Sequence, residues 1–354
     1  MYAQLNPAVK NWREIMLDKF NDNVIRKRIP IRSILQLTYK CNFKCVHCYQ
    51  TPLKGNERLE LNTEECKKII KILKNNGCVL LTFTGGEVFT RADFMELYSY
   101  AYDLNLKISI ISNGFLINKD IITLFSKKTP TCITVTIYGN SDDTYDNFTR
   151  AKYGNNKVWE NIENIHSAGI PIRTQIIANS IILPEISDIR EKLTALHIPV
   201  QLFGRMRCDV DGGYNPYLYQ ISASQLFNIM SETERKEKML SFNSKKKACN
   251  SGISNAYINP YGEMYLCEKV RENAYSLLQY GFEFCWEKIG ELRKSEIDIN
   301  YFCCTCKYNL FCGLCAPLIK NEYGDAMNEP VNECKRNVEL REKLYEYTKN
   351  IISD

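Results

Sequence analysis

The sequence predicts an α/β fold with parallel strands and helices outside, followed by a smaller segment organised by cysteines. Two observations carry this. Between Ser33 and Phe203, six short β-rich runs alternate with helical patterns, and from Cys249 onward cysteines recur every few residues among Gly and Asn turns. Six β/α units at that spacing describe either an open doubly wound sheet or a partial barrel. Both place chemistry at the C-terminal ends of the strands, where the loops gather.

Residues 1–31 read as a capping helix and an extended lead-in ending at Pro30. The β-rich runs are SILQLT, VLLTFT, LKISIIS, CITVTIY, IPIRTQIIAN and PVQLF. Between the first two, NTEECKKIIKILKNNG puts Cys66, Ile69, Ile70 and Leu73 on one helical face, and Gly77 stops the helix. After Phe203, GRMRCDVDGGYNPYLYQ reads as a loop, SASQLFNIMSETERKEKML as one helix entered at Ser222, and NSKKK as a solvated linker. The divisions expected are 1–31, 32–205, 206–248 and 249–354. The last has little periodicity, so ligands are expected to hold it more than a core does.

At 354 residues the chain can form two or three domains with real cores. Its 45% hydrophobic and 25% charged residues are those of a globular protein. The net charge of +5 is scattered without a basic stripe, which argues against a nucleic-acid partner. No apolar run approaches a membrane span and the N-terminus lacks a signal-peptide core, so a cytoplasmic location without membrane association is expected. Sixteen cysteines are then anomalous. In a reducing compartment they point to metal or cluster ligation, not disulfides. Cys66, Cys78 and Cys132 lie on apolar faces and read as small core residues, whereas Cys208, Cys285 and Cys304 are harder to assign so.

Cys41, Cys45 and Cys48 share one short loop after the first strand. Three thiolates can hold three irons of a [4Fe–4S] cube and leave the fourth open to a ligand. The competing reading is a zinc knot completed by His47, whose ring, directly beside Cys48, would point away from the thiols. The C-x3-C-x2-C spacing followed by Tyr49 resembles the signature of the radical SAM superfamily. That resemblance implies a partial (β/α)6 barrel with S-adenosylmethionine chelating the open iron, and hydrogen abstraction by a 5′-deoxyadenosyl radical. It implies cofactor contacts at Tyr49, at Gly85, Gly86 and Glu87 in FTGGEV, at Ser112 and Asn113 in ISNG, and at Thr136 in VTIYG. Glu87 would face the methionine ammonium, and Arg150 and Arg173 are candidates for its carboxylate. Val88 stands where the family usually has Pro.

The C-terminal cysteines run Cys249-x12-Gly262-x4-Cys267, then Cys303-x2-Cys306-x5-Cys312-x2-Cys315, then Cys334. A zinc ribbon would pair the two C-x2-C units, but seven thiols exceed one tetrahedral zinc and fall one short of two. The pattern is similar to the SPASM extension of radical SAM enzymes, departing only in the two residues between Cys312 and Cys315. The resemblance implies two auxiliary [4Fe–4S] clusters, three in all. Cys249, Cys267 and Cys315 would hold the first, with Cys285, Cys304 or an open position as fourth ligand. Cys303, Cys306, Cys312 and Cys334 would close the second.

Enzymes of this type mostly modify peptides and proteins, so the resemblance implies a maturase that oxidises or crosslinks a ribosomally made peptide. Its electron donor would be a flavodoxin or ferredoxin. Some 31 residues before the first strand are too few for a leader-binding domain, so recognition is expected at the barrel mouth, in 204–248, or through a separate leader-binding protein. The alternatives are formylglycine formation as in sulfatase maturases, oxidation of a tetrapyrrole, and a non-catalytic iron–sulfur or zinc module.

Overall fold

The computed structural model describes residues 12–48, 58–152, 154–207, 215–240 and 249–353. Six parallel strands, β1 (Arg32–Gln36), β2 (Leu80–Thr84), β3 (Lys107–Ser112), β4 (Cys132–Ile137), β5 (Ile172–Ile177) and β6 (Val200–Phe203), lie in sequential order. Helix α1 (Trp12–Lys27) precedes them. The crossovers carry α2 (Thr63–Asn75), α3 (Phe94–Asp103), α4 (Lys119–Lys127), α5 (Asp142–Thr149), α6 (Asn155–Ser167) and α7 (Ile186–Ala195). Sequential crossovers of one hand put the helices on one face and leave the other as the interior of the curl.

The two faces differ in chemistry. Leu35, Phe83, Ile110, Ile133 and Ile176 are buried in one core with the helices' apolar stripes. In α2 that stripe is Cys66, Ile69, Ile70 and Leu73, as its period requires, and an Asn62–Glu65 capping box starts the helix. Cross-strand partners share a face, and the opposite face reads Gln36–Thr84, Thr82–Ser109, Thr134–Arg173 and Thr136–Gln175–Gln201. The interior face is therefore mixed, these polar residues alternating with Ile34, Ile111 and Ile177.

The chain beyond Phe203 differs from expectation in two ways. The helix entered at Ser222 is two: α8 (Ala223–Ile229) and α9 (Glu232–Leu240). Ser231 caps the second, its Oγ accepting from Glu234 N while Ser231 N donates to Glu234. The break is a capping box hidden in a polar run. Second, the cysteine-rich segment has a substantial core. Strand β7 (Asn255–Ile258) pairs parallel with β1, and β8 (Glu263–Tyr265) and β9 (Tyr275–Ser276) extend the sheet to nine strands. Ala256, Ile258, Met264, Leu266 and Ile289 join the main core. Helices α10 (Leu277–Tyr280), α11 (Phe282–Glu296), α12 (Asn309–Cys312), α13 (Ala316–Tyr323) and α14 (Val331–Ser353) follow, with a second small core around Tyr301, Leu314 and Ile319. No described helix is long and apolar enough to cross a membrane.

Candidate active site

The three-thiol loop leaves β1 at the C-terminal rim and is fixed from several sides. Glu60 accepts from Thr38 Oγ1 (2.8 Å) and Tyr39 N (2.7 Å), steering the chain into the loop. Lys44 N and Val46 N donate to Thr149 and Phe148 carbonyls at the end of α5. Phe43 is buried edge-on against Phe115, Tyr138 and Tyr145. Cys41, Cys45 and Cys48 lie within electrostatic reach of one another. Burial raises the Cys41 thiol and raises Cys45 further, so both are neutral until a metal displaces their protons. His47 packs on Phe148 (4.9 Å between ring centroids) and Tyr138, and burial lowers it to about 4. Its neutral ring belongs to the aromatic packing under the loop.

The Gly-Gly-Glu turn follows β2 and abuts this loop. A Cβ on Gly85 would meet Thr38 O at 2.4 Å, and one on Gly86 would meet Lys40 O at 2.4 Å. Gly86 N and Glu87 N donate to those same carbonyls. The glycines thus admit the backbone of the thiol loop itself, where the sequence had pointed to a ligand. Glu87 is only 1% exposed, accepting from Asn113 N (2.7 Å), Ser112 Oγ (2.9 Å) and Phe89 N (3.2 Å). Burial pushes its carboxyl up to about 7 against those donors. Asn113 in turn donates to Asn42 Oδ1 (2.9 Å) and approaches Cys41 Sγ (3.9 Å). Glu87 therefore ties three rim loops together.

The remaining expected contacts are more dispersed. Thr136 is buried on the inner face and accepts from Gln175 Nε2 (2.8 Å). Arg173 is exposed, its Nε donating to Thr134 Oγ1 (2.8 Å). Arg150 is exposed too and ends α5 in a left-handed conformation (φ 55°). Tyr49 and Cys208 lie outside the described residues.

The C-terminal thiols fall into two groups. Cys312 is within electrostatic reach of Cys303, Cys306 and Cys334, and burial pushes it up to about 12. Cys267 is paired in the same sense with Cys315, while Cys249 is exposed. Of the two fourth-ligand candidates, Cys285 is wholly buried in α11 with its Sγ on Tyr275 and Ser276 carbonyls (3.6 and 3.5 Å). Cys304 is exposed, its Sγ accepting from Tyr301 N (3.3 Å). Among the described residues no three His, Cys, Asp or Glu side chains converge on a single-ion site. A cleft of about 680 Å³ beside Cys312 lies on the outer edge of β6, away from the three-thiol rim.

Sequence reasoning missed Glu60 and Glu185. The latter accepts from Asn140 N (2.6 Å) and Thr144 Oγ1 (2.8 Å), fixing the loop after β4. Neither sits in a motif, and each acts across more than twenty residues.

The profile of the radical SAM superfamily matches residues 35–196. Residues 35–196 are a radical SAM domain. The cysteine-rich segment beyond it fits the family's SPASM-bearing members. Among curated relatives, the chain is 24% identical over 325 residues to the AdoMet-dependent heme synthase of Methanosarcina barkeri (strain Fusaro / DSM 804), covering 83% of this chain and 93% of that one. It is also 24% identical over 248 residues to the subtilosin biosynthesis protein AlbA of Bacillus subtilis (strain 168), covering 68% and 55%. Among solved structures, anSMEcpe with bound AdoMet and Cp18Cys peptide superposes with a TM-score of 0.65 at 17% identity, covering 90% of this chain and 99% of that one. That similarity is one of fold.

Proposed function

We propose that this radical SAM enzyme oxidatively modifies or crosslinks a ribosomally made peptide, using one cofactor-binding and two auxiliary [4Fe–4S] clusters. The observation that carries the reading is the set of buried polar side chains Gln36, Thr84, Thr134 and Thr136 on the inner face beneath the three-thiol rim, with the cysteine-rich segment joined to the same sheet beside β1. The subtilosin relative and the peptide-bound fold neighbour favour a peptide as substrate. When bound, a [4Fe–4S] cluster and S-adenosylmethionine supply hydrogen abstraction through a 5′-deoxyadenosyl radical.

The chain's own residues prepare that site. Phe43 and His47 back the thiol loop with aromatic surface. Gly85 and Gly86 let the thiol loop close onto the turn after β2, Asn113 and Thr136 are offered to the cofactor, and Glu87 positions Asn113 from beneath with Ser112. Cys303, Cys306, Cys312 and Cys334 form one auxiliary set, and Cys249, Cys267 and Cys315 the other. A flavodoxin- or ferredoxin-type donor and a separate leader-binding protein complete the scheme. The test is co-expression with a short reading frame neighbouring the gene, followed by mass spectrometry. The expected product has lost two hydrogens per crosslink; an unmodified peptide contradicts the reading.

A second reading is oxidation of a tetrapyrrole side chain, favoured by the match over 93% of the heme synthase's length. Anaerobic incubation with an iron coproporphyrin separates the two: a change in its mass supports this second reading, and its unchanged recovery supports the first.

A further inference from the structure

Gln36 ends β1, five residues before Cys41, and lies on the inner face opposite Thr84. It is 1% exposed, yet neither its Nε2 nor its Oε1 has a hydrogen-bond partner. Other polar residues of that face differ: Gln175 donates to Thr136, and Arg173 to Thr134. Buried side-chain amides are nearly always satisfied, because a stranded donor and acceptor both forfeit their hydration. An amide stranded in this way marks a place prepared for something that brings a complementary acceptor and donor.

We infer that Gln36 is a substrate-recognition residue whose amide pairs with a backbone amide of the peptide held in the barrel interior. The pairing is chemically matched, since a peptide group offers one C=O to Nε2 and one N–H to Oε1. The cross-strand partner of Gln36, Thr84, leads into Gly85 and Gly86, so Gln36 borders the cofactor end, and its other flank is what favours substrate. Strand β1 is flanked by β7, where the cysteine-rich segment joins the sheet, whereas Thr136 and Gln175 lie three and four strands away on the other side. On β7 the Asn255 Oδ1 is a second unpartnered buried atom, and Asn255 pairs in register with Arg32, which puts it on the Gln36 face. This inference rests on the peptide reading above.

The test compares the anaerobically reconstituted full chain with its Gln36→Met variant, which keeps the volume and removes the amide. A residue awaiting substrate leaves the substrate-free protein strained, so the variant should melt about 2 °C higher. Its affinity for S-adenosylmethionine should be unchanged. Its capture of a labelled pool of short random-sequence peptides, measured by equilibrium dialysis, should be weaker by about tenfold or more. A lower melting temperature would show a structural role, and weakened S-adenosylmethionine binding a cofactor contact; either overturns the inference. Unchanged peptide capture by the variant also overturns it. Failure of the wild type to capture any peptide overturns the peptide reading itself, whatever the variant's melting temperature. If Gln36→Met does not fold, Gln36→Asn, which draws the amide back by one methylene, is judged by the same two affinities.

Discussion

An added Cβ at Gly86 would sit 2.4 Å from Lys40 O and 2.6 Å from Tyr39 O, so the cost of alanine there falls on the backbone leading into Cys41. Gly86→Ala should therefore lower iron incorporation by about a third, one cube in three, while the C-terminal thiols load normally. Iron and sulfide analysis of the reconstituted variant checks this, and full loading would show that the close approach can relax. Glu87 makes a second prediction. With its carboxyl raised by burial to about 7, the folded protein holds a proton that the unfolded chain releases near 4.5. Between those values the native state binds more protons, so stability is present below about 4.5 and is lost as pH rises through about 7. The loss is about 3 kcal/mol. Urea unfolding of the iron-free protein at several pH values should show this decline in the wild type and a much flatter profile in Glu87→Gln.

At the scale of elements, the join between α1, β1 and α11 depends on Arg28. Its guanidinium donates to Gly252 O (2.9 Å) and Trp286 O (2.7 Å), Trp286 Nε1 donates back to Arg28 O (2.7 Å), and Gly290 leaves the guanidinium its room. Arg28→Ala should cost about 2 kcal/mol in denaturant unfolding, since it strands two partly buried carbonyls. An unchanged midpoint would show that water replaces the pair. This clamp also shows what the sequence withholds. Its partners are more than 200 residues apart, and no local pattern links them. The six parallel strands were legible because their helices alternate apolar and polar faces at a helical period, as in Cys66, Ile69, Ile70 and Leu73. Strands β7 to β9 were not, since runs of four, three and two residues are too short to show a period. Gln36 reads as one polar residue in a strand until its register with Thr84 shows which face it occupies. The thiol spacings were legible because ligation fixes separation along the chain, but the reason for Gly85 and Gly86 was not, because their close neighbour lies on another strand's loop.

For the whole molecule, the cysteine grouping predicts three separable iron centres. The reconstituted chain should hold about twelve irons, four per cube. Exchanging Cys303 and Cys306 for alanine should remove about a third of them and leave the cofactor end competent. Circular dichroism distinguishes loss of that cluster from unfolding of the small core around Tyr301 and Ile319. The central claim is that Cys41, Cys45 and Cys48 form the working end of a radical SAM enzyme. Its most direct test is 5′-deoxyadenosine formation by the anaerobically reconstituted, reduced protein given S-adenosylmethionine. The wild type should produce it, and the variant with all three of these cysteines changed to alanine should produce none while keeping its C-terminal iron. No 5′-deoxyadenosine from fully loaded wild type, or equal amounts from the triple variant, would contradict the account.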